Sequence, residues 1–269
     1  MTKELRERLT ITLKKSVVSM LDQIIDGQKI RNRSHAVEFA LTEFLAKEKL
    51  KVLILAGGNT VKIVNQREEL PKAMVPILGA PLLEHTLKKL RDMHFTEVVI
   101  STGKAGDKIQ KYFGKGERIG LNISYIKQEG LLSGTAQPLL QTKNLFENTF
   151  LLMYGDVLSE INLNDIIEFH QNQRGAIATM ALTAVEHVSQ WGVAKLVGSK
   201  ISSFEEKPKK PSTFSHLVNA GIYVLEPAIF GFISKNAERL ESDVLPRLAE
   251  ENKLAGYAFD AKWVDASSL

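Results

Sequence analysis

The chain has 269 residues, 44% hydrophobic and 25% charged, which is enough for one large domain or two modest ones with a sizeable core. It contains no cysteine, which excludes disulfides, thiolate metal sites and cysteine nucleophiles, and no apolar run approaches the roughly 20 residues that span a bilayer. The formal net charge is +4, and residues 1–50 hold ten Lys/Arg against seven Asp/Glu, so most of the positive excess lies at the front, where a polyanionic partner fits.

The opening stretch MTKELRERLT lacks the apolar block of a leader, so a cytoplasmic protein with no membrane association is expected. Arg8 to Lys14, RLTITLK, then alternates strictly. Leu9, Ile11 and Leu13 share one face and Arg8, Thr10 and Thr12 the other, which predicts a half-buried strand. Ser16 opens a helical pattern, with Val17, Met20, Leu21, Ile24 and Ile25 on one face and Gly27 as its stop. A second helix is expected from Ser34 as N-cap, carrying Val37, Phe39, Ala40, Leu41, Phe44 and Leu45. One strand and two helices cannot bury a useful core alone, and a lone strand has no hydrogen-bonding partner. A homodimer, or a higher even oligomer built from it, with two strands paired antiparallel across a two-fold axis, answers both needs.

This segment, with the turn Ile30-Arg31-Asn32-Arg33-Ser34-His35, resembles the ribbon-helix-helix family of DNA-binding proteins. The resemblance implies that the paired strands enter the major groove of double-stranded DNA. Arg8, Thr10 and Thr12 would then meet base edges. Lys14, Lys15 and Arg33, with the amides around Ser34 at the start of the second helix, would hold phosphates. The alternative is a plain dimerisation module whose outer strand face is solvated.

The second helix runs through Ala46-Lys47-Glu48-Lys49 almost directly into Lys51-Val52-Leu53-Ile54-Leu55, with no Gly/Ser/Pro linker. Domains of 1–49 and 50–269, stiffly joined, are expected. From residue 51 onward apolar strand-like runs alternate with amphipathic helical ones: KVLILA, PLLEHTLKKLRDM, EVVIST, DKIQKYF, NISYIK, TAQPLLQTKNLF, TFLLMYGD, LNDIIEFHQNQ and IATMALTAV. This predicts an α/β domain with a Rossmann-like, mainly parallel sheet covered on both faces. Ligands of such sheets bind at the carboxyl ends of strands, where Gly57-Gly58 and Gly155-Asp156 stand. Two glycines after a strand let backbone amides approach a base or a phosphate, although a Gly-Gly can also be only a turn. Gly134-Thr135-Ala136 at a helix start suits a nucleobase edge. Asp156 and Asp265 are strand-end carboxylates, and a carboxylate there can also be only a helix cap.

In order along the chain stand AGG at 56–58, PK at 71–72, GTA at 134–136, YGD at 154–156, VEHVSQWGV at 185–193, FEEKP at 204–208, VNAGIYVLEP at 218–227 and WVD at 263–265. The ordered set resembles the sugar-phosphate nucleotidyltransferases, of the glucose-1-phosphate thymidylyltransferase and mannose-1-phosphate guanylyltransferase type. The resemblance implies a nucleotidyltransferase fold over 50–269 and a nucleotide held by Leu55, Gly57, Gly58, Gly134 and Thr135. It further implies a sugar phosphate held by Glu206, Lys207 and Asn219, and Mg2+ on Asp156 and Asp265.

The chain departs from the family pattern in one loop. The signature LAGG-x-G-T-R-L-x-P-x-T-x-x-x-P-K fits residues 55–72 without a gap, but its G-T-R falls on Thr60, Val61 and Lys62 and its next proline on Asn65. Lysine keeps the charge of arginine and loses its planar fork. Thr60 and Val61 resist the positive φ that a phosphate-wrapping loop often needs. Weak turnover with retained binding is therefore expected, the layout of a transcription regulator that senses a nucleotide or sugar nucleotide. The alternative is an active Mg2+-dependent nucleotidyltransferase in which Lys62 and Lys72 share the phosphate charge and the N-terminal module only dimerises the enzyme. A third reading combines the two.

Overall fold

The computed structural model describes residues 8–58, 60–62, 69–128, 134–209 and 215–266, the side chains of 43–49 not among them. Expectations placed on Asn65 and on the side chains of Phe44 and Leu45 lie outside this set. The chain divides into two units, Met1–Lys49 and Leu50–Leu269.

In the first unit helix α1 spans Lys15–Gln23 and α2 spans Arg33–Lys49. Asp26 turns the chain between them, its Oδ1 accepting from the backbone N–H groups of Gln28 and Ile30 at 2.8 Å each. These bonds, that to Ile30 foremost, hold its carboxyl below the usual carboxylate range. The cap expected at Ser34 falls instead on Asn32, whose Oδ1 accepts from the His35 N–H at 3.0 Å. Ser34 lies within the first turn. Arg33, expected to hold a phosphate, donates twice to Asp22 at 2.7 and 2.8 Å and clasps α2 to α1. The strand expected at 8–14 forms no ladder with any described residue, and its apolar face is open, with Leu9 75% and Ile11 53% exposed. The physical reason is that a ladder needs a second strand, and the described residues of this unit supply none.

The second unit is built on a nine-stranded sheet. Its strands are β1 Val52–Ala56, β2 Glu97–Thr102, β3 Asn122–Lys127, β4 Phe150–Tyr154, β5 Ala178–Ala184, β6 Gly192–Val197, β7 Lys200–Glu206, β8 Leu217–Leu225 and β9 Leu254–Ala258. Their order is β5-β9-β7-β6-β8-β4-β1-β2-β3, and β5 also pairs with β8. Side chains alternate between two cores as a strand requires. Val52, Ile54 and Ala56 of β1 enter one core while Leu53 and Leu55 enter the other. On the first face pack α3 (Leu82–Asp92), α4 (Gly106–Phe113) and α6 (Leu163–Gln171). On the second pack α5 (Ala136–Gln141), α7 (Leu240–Asp243) and α8 (Leu245–Glu250). Each fully buried Leu or Ile in these layers contributes roughly 1.5–3 kcal/mol.

The expected mainly parallel sheet is mixed. β4, β1, β2 and β3 run parallel, as do β5 and β9, whereas β8 lies antiparallel to both β4 and β5. β6 and β7 form an antiparallel hairpin with Val197 opposite Lys200. Gly198, at φ +61°, makes that tight turn, a conformation that costs glycine nothing.

Candidate functional site

The parallel half of the sheet places three glycine-bearing turns side by side at its carboxyl edge. A Cβ on Gly103, after β2, would lie 2.4 Å from the Gly57 carbonyl oxygen, and one on Gly155, after β4, would lie 2.9 Å from the Ala56 Cβ. Only glycines allow the turns to close this tightly, and beside them opens a cleft of about 640 Å3. Leu55, Gly57, Gly58, Lys72, Gly134, Thr135, Asp156, Glu206, Lys207, Asn219 and Asp265 all line it. Lys62 does not.

The rewritten signature explains where Lys62 goes. Residues Thr60–Lys62 form a short strand paired antiparallel with Glu69–Pro71, Thr60 opposite Pro71 and Lys62 opposite Glu69. Thr60 Oγ1 donates to Glu69 Oε2 at 2.5 Å. The β-branched pair expected to strain a phosphate loop sits in extended backbone, which β-branched residues favour. Lys62 is exposed, while Lys72 is half-buried in the turn Lys72–Met74 at the cleft wall.

The two carboxylates are set together by main-chain pairing. Strand Val157–Ser159 runs antiparallel to Trp263–Asp265, with Val157 opposite Asp265, and the Ala266 N–H donates to the Asp156 carbonyl at 2.8 Å. Helix α3 braces this pair from below: Lys89 donates to the carbonyls of Ser159 and Ile161, and Thr86 to that of Val157. Burial draws the Lys89 ammonium down to about 8, against the pull of Glu160. Burial first, and the charge of Asp265 second, push the Asp156 carboxyl up to about 6, with Lys72 opposing. At neutral pH Asp156 is therefore mostly ionised beside a second carboxylate, a pair that attracts a cation.

At the other end, β6 and β7 bring Gly192 opposite Glu206 so closely that a Cβ on the glycine would meet Glu206 Oε2 at 2.7 Å. Burial raises the Glu206 carboxyl, and Glu241 adds to the effect against Lys207 and Arg239. Lys207 holds φ +47°, a left-handed conformation uncommon outside glycine and frequent at ligand sites. Asn219, buried, donates to the Tyr223 hydroxyl at 2.5 Å and accepts from the Gly221 N–H at 2.9 Å. Its amide is thus engaged with the protein as well as facing the cleft.

Sequence reasoning missed the residue that ties the two ends together. Glu241, on α7, accepts from Tyr154 through Oε1 and from Thr135 Oγ1 through Oε2 at 2.7 Å. Tyr154 lies 3.3 Å from Tyr223, whose hydroxyl Asn219 contacts. Burial and the charge of Glu241 hold both phenols well above their ordinary range, hence protonated. α7 reaches the cleft because Gly134 admits the Glu238 carbonyl, which would lie 2.0 Å from a Cβ there. Gln128, Trp191, Arg239 and Trp263 also line the cleft and were not anticipated as site residues. Motif positions 191 and 263 were the available signal for the two tryptophans; nothing in the local sequence around Glu241 marks it. The residues expected on DNA, Arg8, Thr10, Thr12, Lys14, Lys15, Arg33 and Ser34, are all exposed in the first unit.

An α/β sheet with glycine turns, paired carboxylates and a lysine at its carboxyl edge defines a nucleotide-handling class of protein. The family model described as Nucleotidyl transferase matches residues 51–268, and the chain belongs to that family. It is 30% identical over 237 residues to the UTP–glucose-1-phosphate uridylyltransferase of Synechocystis, covering 82% of this chain and 61% of that one. It is 32% identical over 222 residues to the bifunctional protein GlmU of Methanococcus maripaludis, covering 80% of this chain and 51% of that one. The chain thus spans between half and about three fifths of the length of these relatives. A crystal structure of UDP-glucose pyrophosphorylase complexed with UDP-glucose shares the fold, with a TM-score of 0.68, 23% identity and coverage of 81% of this chain and 93% of the other.

Proposed function

We propose that residues 50–269 catalyse nucleotidyl transfer from a nucleoside triphosphate to a sugar 1-phosphate, releasing pyrophosphate. The observation that carries this is that the pairing of Val157–Ser159 with Trp263–Asp265 sets Asp156 and Asp265 together, with Lys72, in a glycine-walled cleft. A phosphate oxygen of the sugar phosphate attacks the α-phosphorus, the new P–O bond forms, and the bond to the β-phosphate breaks with its electron pair leaving on pyrophosphate. Backbone at Gly57, Gly58 and Gly134, with Thr135, orients the nucleotide, and Lys72 stabilises charge developing on the α-phosphate oxygens. Glu206 and Asn219 orient sugar hydroxyls, and Lys207 neutralises the sugar phosphate. Asp156 and Asp265 fit Mg2+, which takes one or two carboxylates and completes its shell with water and substrate phosphates; among the described residues no group of three or more acidic, imidazole or thiol side chains is placed to hold a metal ion. When bound, Mg2+ supplies the charge that neutralises the triphosphate.

The test is pyrophosphate release from a panel of nucleoside triphosphates with glucose 1-phosphate or mannose 1-phosphate. Asp156→Asn and Lys72→Ala are each expected to lower kcat/KM by about a hundredfold or more, the scale of losing one charge-stabilising group. Full turnover in either variant contradicts the assignment.

A second reading concerns the first unit, and the open apolar face of residues 9–13 favours it. In this reading two copies pair their 8–14 segments into a β-ribbon that enters the DNA major groove through Arg8, Thr10 and Thr12. The second unit then also acts as a sensor, its turnover weakened because Lys62 stands outside the cleft where the family carries arginine. A gel shift of the protein's own promoter DNA tests it. Affinity should fall steeply between 50 and 200 mM salt on the order expected for several phosphate contacts, and a shift indifferent to salt and sequence sinks the idea.

A further inference from the structure

The acid pair stands on a small ribbon of its own. Strands Val157–Ser159 and Trp263–Asp265 make a two-stranded sheet apart from the nine-stranded one, three residue pairs long. A ladder of that length is marginal by itself in water. The place of Asp156 relative to Asp265 therefore depends on what fixes the ribbon to the body of the unit.

The main chain shows where that fixing falls. The Asp156 carbonyl accepts from the Ala266 N–H at 2.8 Å and the Glu160 N–H donates to the Lys262 carbonyl at 2.9 Å, so these residues bond across the ribbon. In an antiparallel pair the residues at alternate positions turn their carbonyls the other way. Those of Val157, Ser159 and Ile161 do so, and side chains of α3 meet all three. Thr86 Oγ1 donates to Val157 at 3.3 Å, and one turn further along the helix Lys89 Nζ donates to Ser159 at 2.7 Å and to Ile161. Ser159 and Ile161 are themselves buried, and the Ile161 N–H closes a turn onto Ser159 Oγ at 3.2 Å. Two side chains of a helix thus stand in for a third strand, and the Lys89 ammonium holds two of the three carbonyls.

The core does not require a lysine there, since α3 is already seated by Leu83, Leu87 and Leu90. Burial draws the Lys89 ammonium down to about 8, so the helix carries a charge into a place that opposes it. Nor is that charge what Asp156 feels: burial comes first, and the charges acting on it are those of Asp265, Lys72 and Glu241. We propose that Lys89 is a positioning residue for the divalent cation, fixing Asp156 against Asp265 by its hold on the Ser159 and Ile161 carbonyls. The proposal rests on the nucleotidyltransferase reading for the cation, whereas the hold on the ribbon is measurable without metal or turnover.

Lys89→Met keeps the apolar stem and removes the donor, and Lys89→Arg keeps charge and donors. Amide exchange in EDTA, followed by NMR, reads the ribbon at Ala266. Calorimetry of non-hydrolysable analogues of the common nucleoside triphosphates, with Mn2+ and with EDTA, reads the cation as the ratio of two Kd values. In Lys89→Met, Ala266 should exchange about tenfold faster or more while β1 and β4 keep their protection. The tightening that Mn2+ gives should shrink by about tenfold or more, the scale of losing an outer partner of a metal ligand. Lys89→Arg should stay within about threefold of wild type in both measurements. In pyrophosphate release, Lys89→Met should raise KM for Mg2+ and leave that for the sugar phosphate within about twofold. If Lys89→Met does not fold by circular dichroism, Lys89→Gln, with its neutral donor, takes its place under the same criteria.

An unchanged Mn2+ effect in the folded variant overturns the proposal. So does a weakened Mn2+ effect with Ala266 exchange unchanged, because the loss would then not pass through the ribbon. Faster exchange throughout the second unit, a general destabilisation, overturns it too, as does a wild type whose triphosphate binding gains nothing from Mn2+. The expected exchange and Mn2+ results without pyrophosphate release from any triphosphate and sugar phosphate would count against the enzyme reading alone.

Discussion

Asp156 is held against its own chemistry: burial and Asp265 both oppose its charge, and its carboxyl titrates at about 6 against an ordinary 3.8. A folded-state value above the unfolded one means that the native protein binds this proton more tightly. The stability so contributed is fully present below about pH 3.8 and is lost as pH rises through about 6. Above neutrality the ionised group therefore costs on the order of 1–2 kcal/mol once its partial solvent access is counted. Asp156→Asn removes that cost, and in EDTA at pH 8 its Tm is expected to exceed wild type by roughly 2–8 °C. The gain should shrink toward pH 5, where wild-type Asp156 regains its proton. Scanning fluorimetry across this range checks it, and an unchanged or lowered Tm at pH 8 would show that the carboxylate is not electrostatically strained. The same residue was legible in the sequence because it stands at a strand end after a glycine within the ordered set of motifs, although alone such a carboxylate can be only a helix cap. Glu241 was not legible, because its position in the cleft depends on an approach between Gly134 and Glu238 that no local pattern encodes.

At the level of elements, periodicity carried most of the information. KVLILA, EVVIST and TFLLMY read as doubly buried strands and are β1, β2 and β4, since side chains feeding two cores must be apolar on both faces. Direction was not readable, because a strand buried on both faces looks alike in a parallel or an antiparallel neighbour pair. The pairing of the Thr60-Val61-Lys62 segment was not readable for a related reason. Its β-branched residues resist a positive φ, and the chain pairs them with Glu69–Pro71 instead of forcing the bend. Gly134, whose place at a helix start suits a nucleobase edge, has a second duty in seating α7. Gly134→Ala would drive a methyl into the Glu238 carbonyl, 2.0 Å away, and overpacking of this kind costs about 1–3 kcal/mol. A lower urea midpoint is expected, together with weaker nucleotide binding as the Thr135–Glu241 hydrogen bond is displaced. An unaltered midpoint would mean that the two backbones part freely.

For the molecule as a whole, the two units differ in how completely they satisfy their own surfaces. The second unit buries its apolar strands between two helical layers, whereas the first leaves Leu9 at 75%, Ile11 at 53% and Met20 at 65% exposed. A short unit with so little core is stabilised by association, and each such side chain gains on the order of 1.5–3 kcal/mol on full burial. In the β-ribbon reading proposed above, a second copy would supply both the apolar cover and the missing hydrogen-bond partner for residues 8–14. Ile11 lies at the centre of that segment, so Ile11→Asp places a charge where the two ribbons would meet face to core. Sedimentation of the wild type is expected to give a dimer, or an even multiple of one, at micromolar concentration, and that of Ile11→Asp a monomer. The wild-type melting temperature of the first unit should rise with protein concentration, as mass action requires when folding and association are linked. In the variant it should not. Pyrophosphate release should be unaffected, since every residue lining the cleft belongs to 55–265. A wild type that sediments as a monomer, or a variant that still sediments as a dimer, would place the subunit contact elsewhere and remove the basis for a β-ribbon entering DNA.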